Sequence, residues 1–94
     1  MKLLWTPGAV RDLARLRGFL EPGNPEAAGR AAARIRHAAA ALLEQPEVGR
    51  VVEDAPNLRD LVAPFGGGAY VLRYRIYPDA VVIARVWHSR QDRG

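Results

Sequence analysis

The hydrophobic pattern changes period once, near Pro46, and that change restricts the chain to a mixed architecture of helices followed by strands. Before Pro46 the apolar residues recur every three or four positions, the spacing of one helix face. Thr6-Pro7 reads as an N-cap followed by proline at the first helical position, where a missing N–H costs nothing. Ala9, Leu13, Leu16 and Leu20 then form a stripe, which predicts a helix over 7–20, ended by Glu21-Pro22-Gly23. Asn24-Pro25-Glu26 repeats the starting grammar. Ala28, Ala31, Ala32, Ile35, Ala39, Leu42 and Leu43 predict a second helix over 25–45. Its alanines allow close approach, so the two helices are expected to form an antiparallel hairpin. Pro46-Glu47-Val48-Gly49-Arg50 reads as a turn.

After the turn the residues favour strands. Leu58 to Ala63 is a short candidate, closed by Pro64 and Gly66-Gly67-Gly68. Ala69 to Tyr77 and Val81 to His88 are rich in Val, Ile and Tyr and flank Pro78-Asp79-Ala80, which predicts a β-hairpin. With Lys2–Trp5 as an opening strand, the order is β-α-α-β-β-β. This is an α+β fold in one domain over residues 1–94, with the helical hairpin packed on a mostly antiparallel sheet.

The closing hairpin has two candidate registers. A two-residue loop pairs Tyr77 with Ala80 and sets Leu72 against Arg85, mixing arginine into the apolar face. A three-residue loop over 78–80 pairs Tyr77 with Val81. Leu72, Tyr74 and Ile76 then share a face with Val82, Ala84 and Val86, while Val71, Arg73, Arg75 and Tyr77 join Ile83, Arg85 and Trp87 on the other. A slip of one residue exchanges the faces, so burial favours the second register. It sets Arg73 opposite Arg85, a like-charge pair that a sheet tolerates at a cost. An anionic ligand or acidic partner between them is the expected compensation, on a face that includes Arg59 and the aromatic anchor Trp87.

Composition excludes several function classes. The 94 residues contain no cysteine, so there is no disulfide framework and no thiolate metal site. No apolar stretch approaches the roughly 20 residues that span a bilayer, and no signal-peptide core precedes Pro7, so a soluble, cytoplasmic domain with no membrane partner is expected. Fourteen basic against ten acidic residues give a net charge of +4. All the basic residues but Lys2 are arginine, whose planar fork suits carboxylate or phosphate. The basic residues are spread over both halves without helix-turn-helix grammar, which argues against direct DNA binding. There is no P-loop, HExxH or GxSxG motif, and the glycine triplet precedes a strand rather than a helix. His37 lies off the apolar stripe as a solvated position and is far from His88 in sequence, so neither a metal nor a cofactor is called for. His88 is the better general acid–base candidate, and Glu53-Asp54 reads as a solvating loop.

Five segments, in order, resemble the ParE branch of the RelE/ParE toxin superfamily of bacterial type II toxin–antitoxin modules. They are Trp5 to Leu13, Pro46 to Arg50, Leu58 to Val62, Tyr70 to Ile76, and Val82 to Asp92 with its His88-x-Arg90-x-Asp92 end. The resemblance implies a RelE/ParE-like fold and a toxin that poisons DNA gyrase by protein binding, without catalytic residues of its own. A ParD-like antitoxin would neutralise it, and DNA would be contacted only through the toxin–antitoxin complex. Target or partner binding would fall to Arg59, Arg73, Arg75, Arg85, Trp87, His88 and Arg90, and an antitoxin groove to Leu13, Leu16 and Leu20. Joint charge reversal at Arg73 and Arg85 is expected to weaken the antitoxin complex. The alternatives are a RelE-like ribosome-dependent mRNA endonuclease, using Arg59, Arg85 and His88, or an inactive toxin fold that only binds antitoxin. The chain departs from the nuclease pattern: Val71 stands where an arginine is typical, Lys2 is the only lysine, and no tyrosine lies near the end.

Overall fold

The computed structural model describes residues 1–20 and 23–90, apart from the side chains of Phe19 and Leu20. Its elements are β1 (Lys2–Trp5), α1 (Pro7–Leu20), α2 (Pro25–Ala41), a 3-10 turn (Pro46–Val48), β2 (Arg50–Val52), β3 (Ala55–Phe65), β4 (Gly68–Tyr77) and β5 (Ala80–His88). The strands form one sheet in the order β1-β5-β4-β3-β2. Only the β1–β5 pair is parallel.

Both helix starts follow the sequence grammar. Thr6 Oγ1 accepts the Ala9 N–H at 3.0 Å, and Asn24 Oδ1 accepts the Ala27 N–H at 3.1 Å. The end of α1 at Glu21-Pro22 lies outside the described residues. The second helix stops at Ala41 rather than at residue 45. Pro46 forces Gln45 out of helical geometry (φ −137°, ψ 75°), and the preceding N–H groups of Leu42, Leu43 and Glu44 bond three residues back.

The sheet departs from expectation at two places. Arg50–Val52, within and just beyond the expected turn, is a short edge strand joined to β3 through Glu53-Asp54. The following strand runs past Pro64, which sits where β2 no longer covers β3 and where a missing N–H leaves no ladder bond unmade. Gly66 takes the left-handed φ of +59° at the first position of the two-residue turn between β3 and β4.

The closing hairpin corrects the expected three-residue loop. Its loop is Pro78-Asp79, with Tyr77 paired to Ala80, yet Arg73 still stands opposite Arg85. A β-bulge reconciles the two: Tyr74 pairs with Ile83 and Arg73 with Arg85, so Ala84 is the extra residue. The bulge reverses the phase of β5. Val81 and Ile83 face the core before it and Val86 after it, so Ile83 belongs to the apolar face and not to the arginine face. Those three pack with Leu72 and Tyr74 against Ala9, Ala31, Ile35, Ala38 and Ala39 of the helices. Four alanines among the helix residues of this cluster let the helices lie close to the sheet.

A candidate binding face on the outer side of the sheet

The strand registers align a row of charges across the face turned away from the helices. Arg50 of β2 pairs with Asp60 of β3, Asp60 with Arg73 of β4, and Arg73 with Arg85 of β5. Within this row Arg73 binds Asp60 through two parallel bonds, Nε to Oδ1 at 2.8 Å and Nη2 to Oδ2 at 2.9 Å. The bond from Asp60 raises the Arg73 pKa further above neutrality. The Arg73 guanidinium also lies over Trp87, 5.1 Å from the ring centroid, and the Arg75 guanidinium over Tyr77 at 4.8 Å. Beside them Val62, paired with Val71 and 58% exposed, leaves apolar surface next to Trp87.

The like-charge pair is compensated from within the chain. Arg85 donates Nε to Asp12 Oδ2 at 2.8 Å and Nη2 to Asp12 Oδ1 at 3.1 Å. Asp12, on α1, is only 3% exposed and also accepts the Val86 N–H at 2.8 Å. The parallel pairing with β1 covers β5 only from Ala80 to Ile83. Beyond that point, Thr6 Oγ1 donates to the Ala84 carbonyl and Asp12 takes the Val86 N–H, so α1 closes the open edge of β5. Burial works to raise the Asp12 pKa, but the bonds from Arg85 and Val86 and the charges of Arg85 and Arg15 outweigh it and hold the carboxyl below its ordinary range.

Arg59 and His88 do not join this face. Arg59 pairs with Tyr74 and therefore points to the helix side, where its Nη1 donates to the carbonyls of Glu47 and Gly49. Tyr74 is fully buried; its hydroxyl donates to the Pro46 carbonyl at 2.6 Å and accepts the Gly49 N–H at 2.9 Å. Burial raises its pKa, so it remains a donor at physiological pH. A Cβ at position 49 would lie 2.5 Å from that hydroxyl, which is why glycine stands there. His88 pairs with Tyr70, meets its ring edge-on at 5.2 Å, and accepts the Arg90 N–H on Nδ1. Arg90 reaches back to the Gly67 carbonyl at 2.7 Å. Arg59 and His88 are thus separated by four residues of β4, about 13 Å along the strand.

Leu13 and Leu16 are half-buried and pack against the core cluster; the Leu20 side chain and residues 91–94 lie outside the described residues. Sequence reasoning did not single out Asp12, Asp60, Tyr74 or Arg50. A signal existed for Asp12, which is three residues from Ala9 and four from Leu16 and so flanks the apolar stripe of α1. Among the described residues no helix is long and apolar enough to cross a membrane.

Comparison with known proteins agrees over nearly the whole chain. The family model described as "ParE toxin of type II toxin-antitoxin system, parDE" matches residues 3–93. The curated protein "Toxin RelE3" of Caulobacter vibrioides is 46% identical over 87 residues, covering 93% of this chain and 92% of the relative. "Toxin RelE1" of the same organism is 39% identical over 85 residues, 90% of this chain and 89% of the relative. "Putative toxin Y4kP" of Sinorhizobium fredii is 37% identical over 91 residues, 97% and 91% respectively. Among solved structures, "Chromosomal ParDE TA system from P. aeruginosa" superposes with a TM-score of 0.79 at 24% identity, covering 94% of this chain and 95% of that one, a likeness of fold.

Proposed function

The chain belongs to the ParE toxin family of type II toxin–antitoxin systems, and from that premise we propose that it acts by binding rather than by catalysis: it poisons DNA gyrase and is silenced by a ParD-like antitoxin. The observation that carries this reading is the dispersal of the groups a nuclease would need. Cleavage of RNA at a ribose requires a base for the 2′-OH, cations around the phosphorane and an acid for the leaving oxygen, all within hydrogen-bond reach of one another. Here Arg59 is spent on two carbonyls on the helix side, His88 lies about 13 Å away along β4, and Arg85 stands on the opposite face, held by Asp12 of α1. The buried Tyr74 hydroxyl makes two hydrogen bonds to the backbone. What the outer face offers instead is Trp87, Tyr77 and guanidinium groups, the side chains that anchor protein interfaces.

The test is a purified gyrase assay with and without antitoxin. Inhibited supercoiling with trapped cleaved DNA, relieved by antitoxin, is the expected result. No inhibition at large molar excess would remove gyrase as the target. The RelE names of the curated relatives favour a second reading, ribosome-dependent mRNA cleavage. Cleavage by the wild type that is lost in Arg85→Ala and His88→Ala would establish it.

A further inference from the structure

We infer that the antitoxin presents an acidic segment to Arg50 and Arg75, and not to the opposed pair Arg73 and Arg85 that the sequence brings to notice. The inference rests on the antitoxin-binding reading above and names the charges that perform it. A guanidinium already holding a carboxylate through two bonds has little left to offer a partner, because a newcomer must displace an internal ligand of equal charge. Arg73 is so held by Asp60, and Arg85 by Asp12. Arg50 and Arg75 are exposed, and neither has a carboxylate within salt-bridge distance among the described residues. Arg75 is further oriented by its stacking on Tyr77, so part of the entropy of fixing it is already spent.

Their placement sets the shape of what binds. From Arg50 to Arg75 is two strand spacings across the sheet and two residues along it, or about 12 Å between backbones. Asp60 sits in the row between Arg50 and Arg73, and Glu53-Asp54 follows β2. A continuous phosphate backbone crossing this face would meet those carboxylates. A protein segment with two separate acidic side chains, about 12 Å apart on one side, passes over them without that repulsion. In an extended segment this spacing corresponds to residues four apart.

The double variant Arg50→Glu, Arg75→Glu disturbs no internal ion pair, so it should fold as the wild type does, which a thermal melt checks. Its control is Arg30→Glu, Arg36→Glu on α2, which changes net charge equally on exposed helix positions. Affinity for the purified antitoxin should fall by about 100-fold or more in the face variant and by less than about 10-fold in the control. Equal loss in both variants would reduce the effect to overall charge and overturn the inference. So would unchanged antitoxin affinity in the face variant, which leaves the antitoxin reading standing. A wild type that fails to bind antitoxin overturns both. A single-stranded oligonucleotide that binds the wild type and loses affinity in the same face variant would assign these arginines to nucleic acid instead.

Discussion

Asp12–Arg85 and Asp60–Arg73 are both two-pronged carboxylate–guanidinium pairs with an Nε–Oδ distance of 2.8 Å, and they differ in what the carboxylate does besides pairing. Asp60 binds its arginine within the sheet, and both side chains keep about a fifth of their surface in water. Asp12 is 3% exposed and also accepts the Val86 N–H on the open edge of β5. The first is an ion pair laid on a finished ladder. The second replaces a missing strand. A charge that satisfies main-chain groups stabilises through the burial of those groups, whereas a charge that satisfies only another side chain competes with water for the same contact.

The largest break of this symmetry is expected at Asp12. Asp12→Ala leaves the Val86 N–H without an acceptor at a covered edge, and should cost about 2–4 kcal/mol in denaturant unfolding. A loss below about 1 kcal/mol would mean that water reaches the edge. Acid provides the same test without mutation. Because the folded pKa of Asp12 is lowered, its contribution is fully present above the ordinary carboxylate range near 4 and is lost as pH falls through the folded value. Asp12→Asn should therefore flatten the fall in stability as pH drops below the ordinary carboxylate range near 4.

Tyr74 obeys the same rule on the other side of the sheet. Its hydroxyl serves the Pro46 carbonyl and the Gly49 N–H, so Tyr74→Phe should cost about 1–3 kcal/mol, although only one oxygen is removed. Faster amide exchange at Gly49, with exchange in the β4–β5 ladder unchanged, would place the loss at the turn. Exchange that accelerates across the sheet instead would make Tyr74 a core-packing residue first and a turn anchor second.

These long-range closures also explain where the fold was legible. The helix starts depend on residues close in sequence, and proline and cap patterns encode them locally; the facing of Arg73 by Arg85 was reached through a three-residue loop whose extra residue stands in for the bulge. Asp12 and Val86 are 74 positions apart, and nothing local marks a carboxylate that closes a distant strand edge. The bulge at Ala84 defeated a strict two-residue alternation, which cannot represent an inserted residue. Arg59 is the instructive case: counting back from a two-residue Gly66-Gly67 turn pairs it with Tyr74, so its side of the sheet was readable once that turn was placed. The three residues of β2, Arg50–Val52, are too short for any period to show, which is why Arg50 was read as the end of a turn.

The smallest expected effect sharpens the comparison most, because it separates the two pairs by their response to salt. Asp60→Asn should cost about 1 kcal/mol, and a double-mutant cycle with Arg73→Gln should assign about 0.5–1.5 kcal/mol to the pair at low ionic strength. Charges that keep some contact with water are screened, so raising the salt to about 1 M, where the Debye length is near 3 Å, should remove most of that coupling. The destabilisation caused by Asp12→Ala should hardly move under the same change, since what it loses is an acceptor for a covered N–H. If both effects shrink together, the β5 edge is wetter than the packing of α1 implies, and Asp12 acts as a charge before it acts as a strand end. If neither shrinks, the Arg73 stack on Trp87 shields Asp60 from solvent, and Trp87→Ala should then restore the salt dependence.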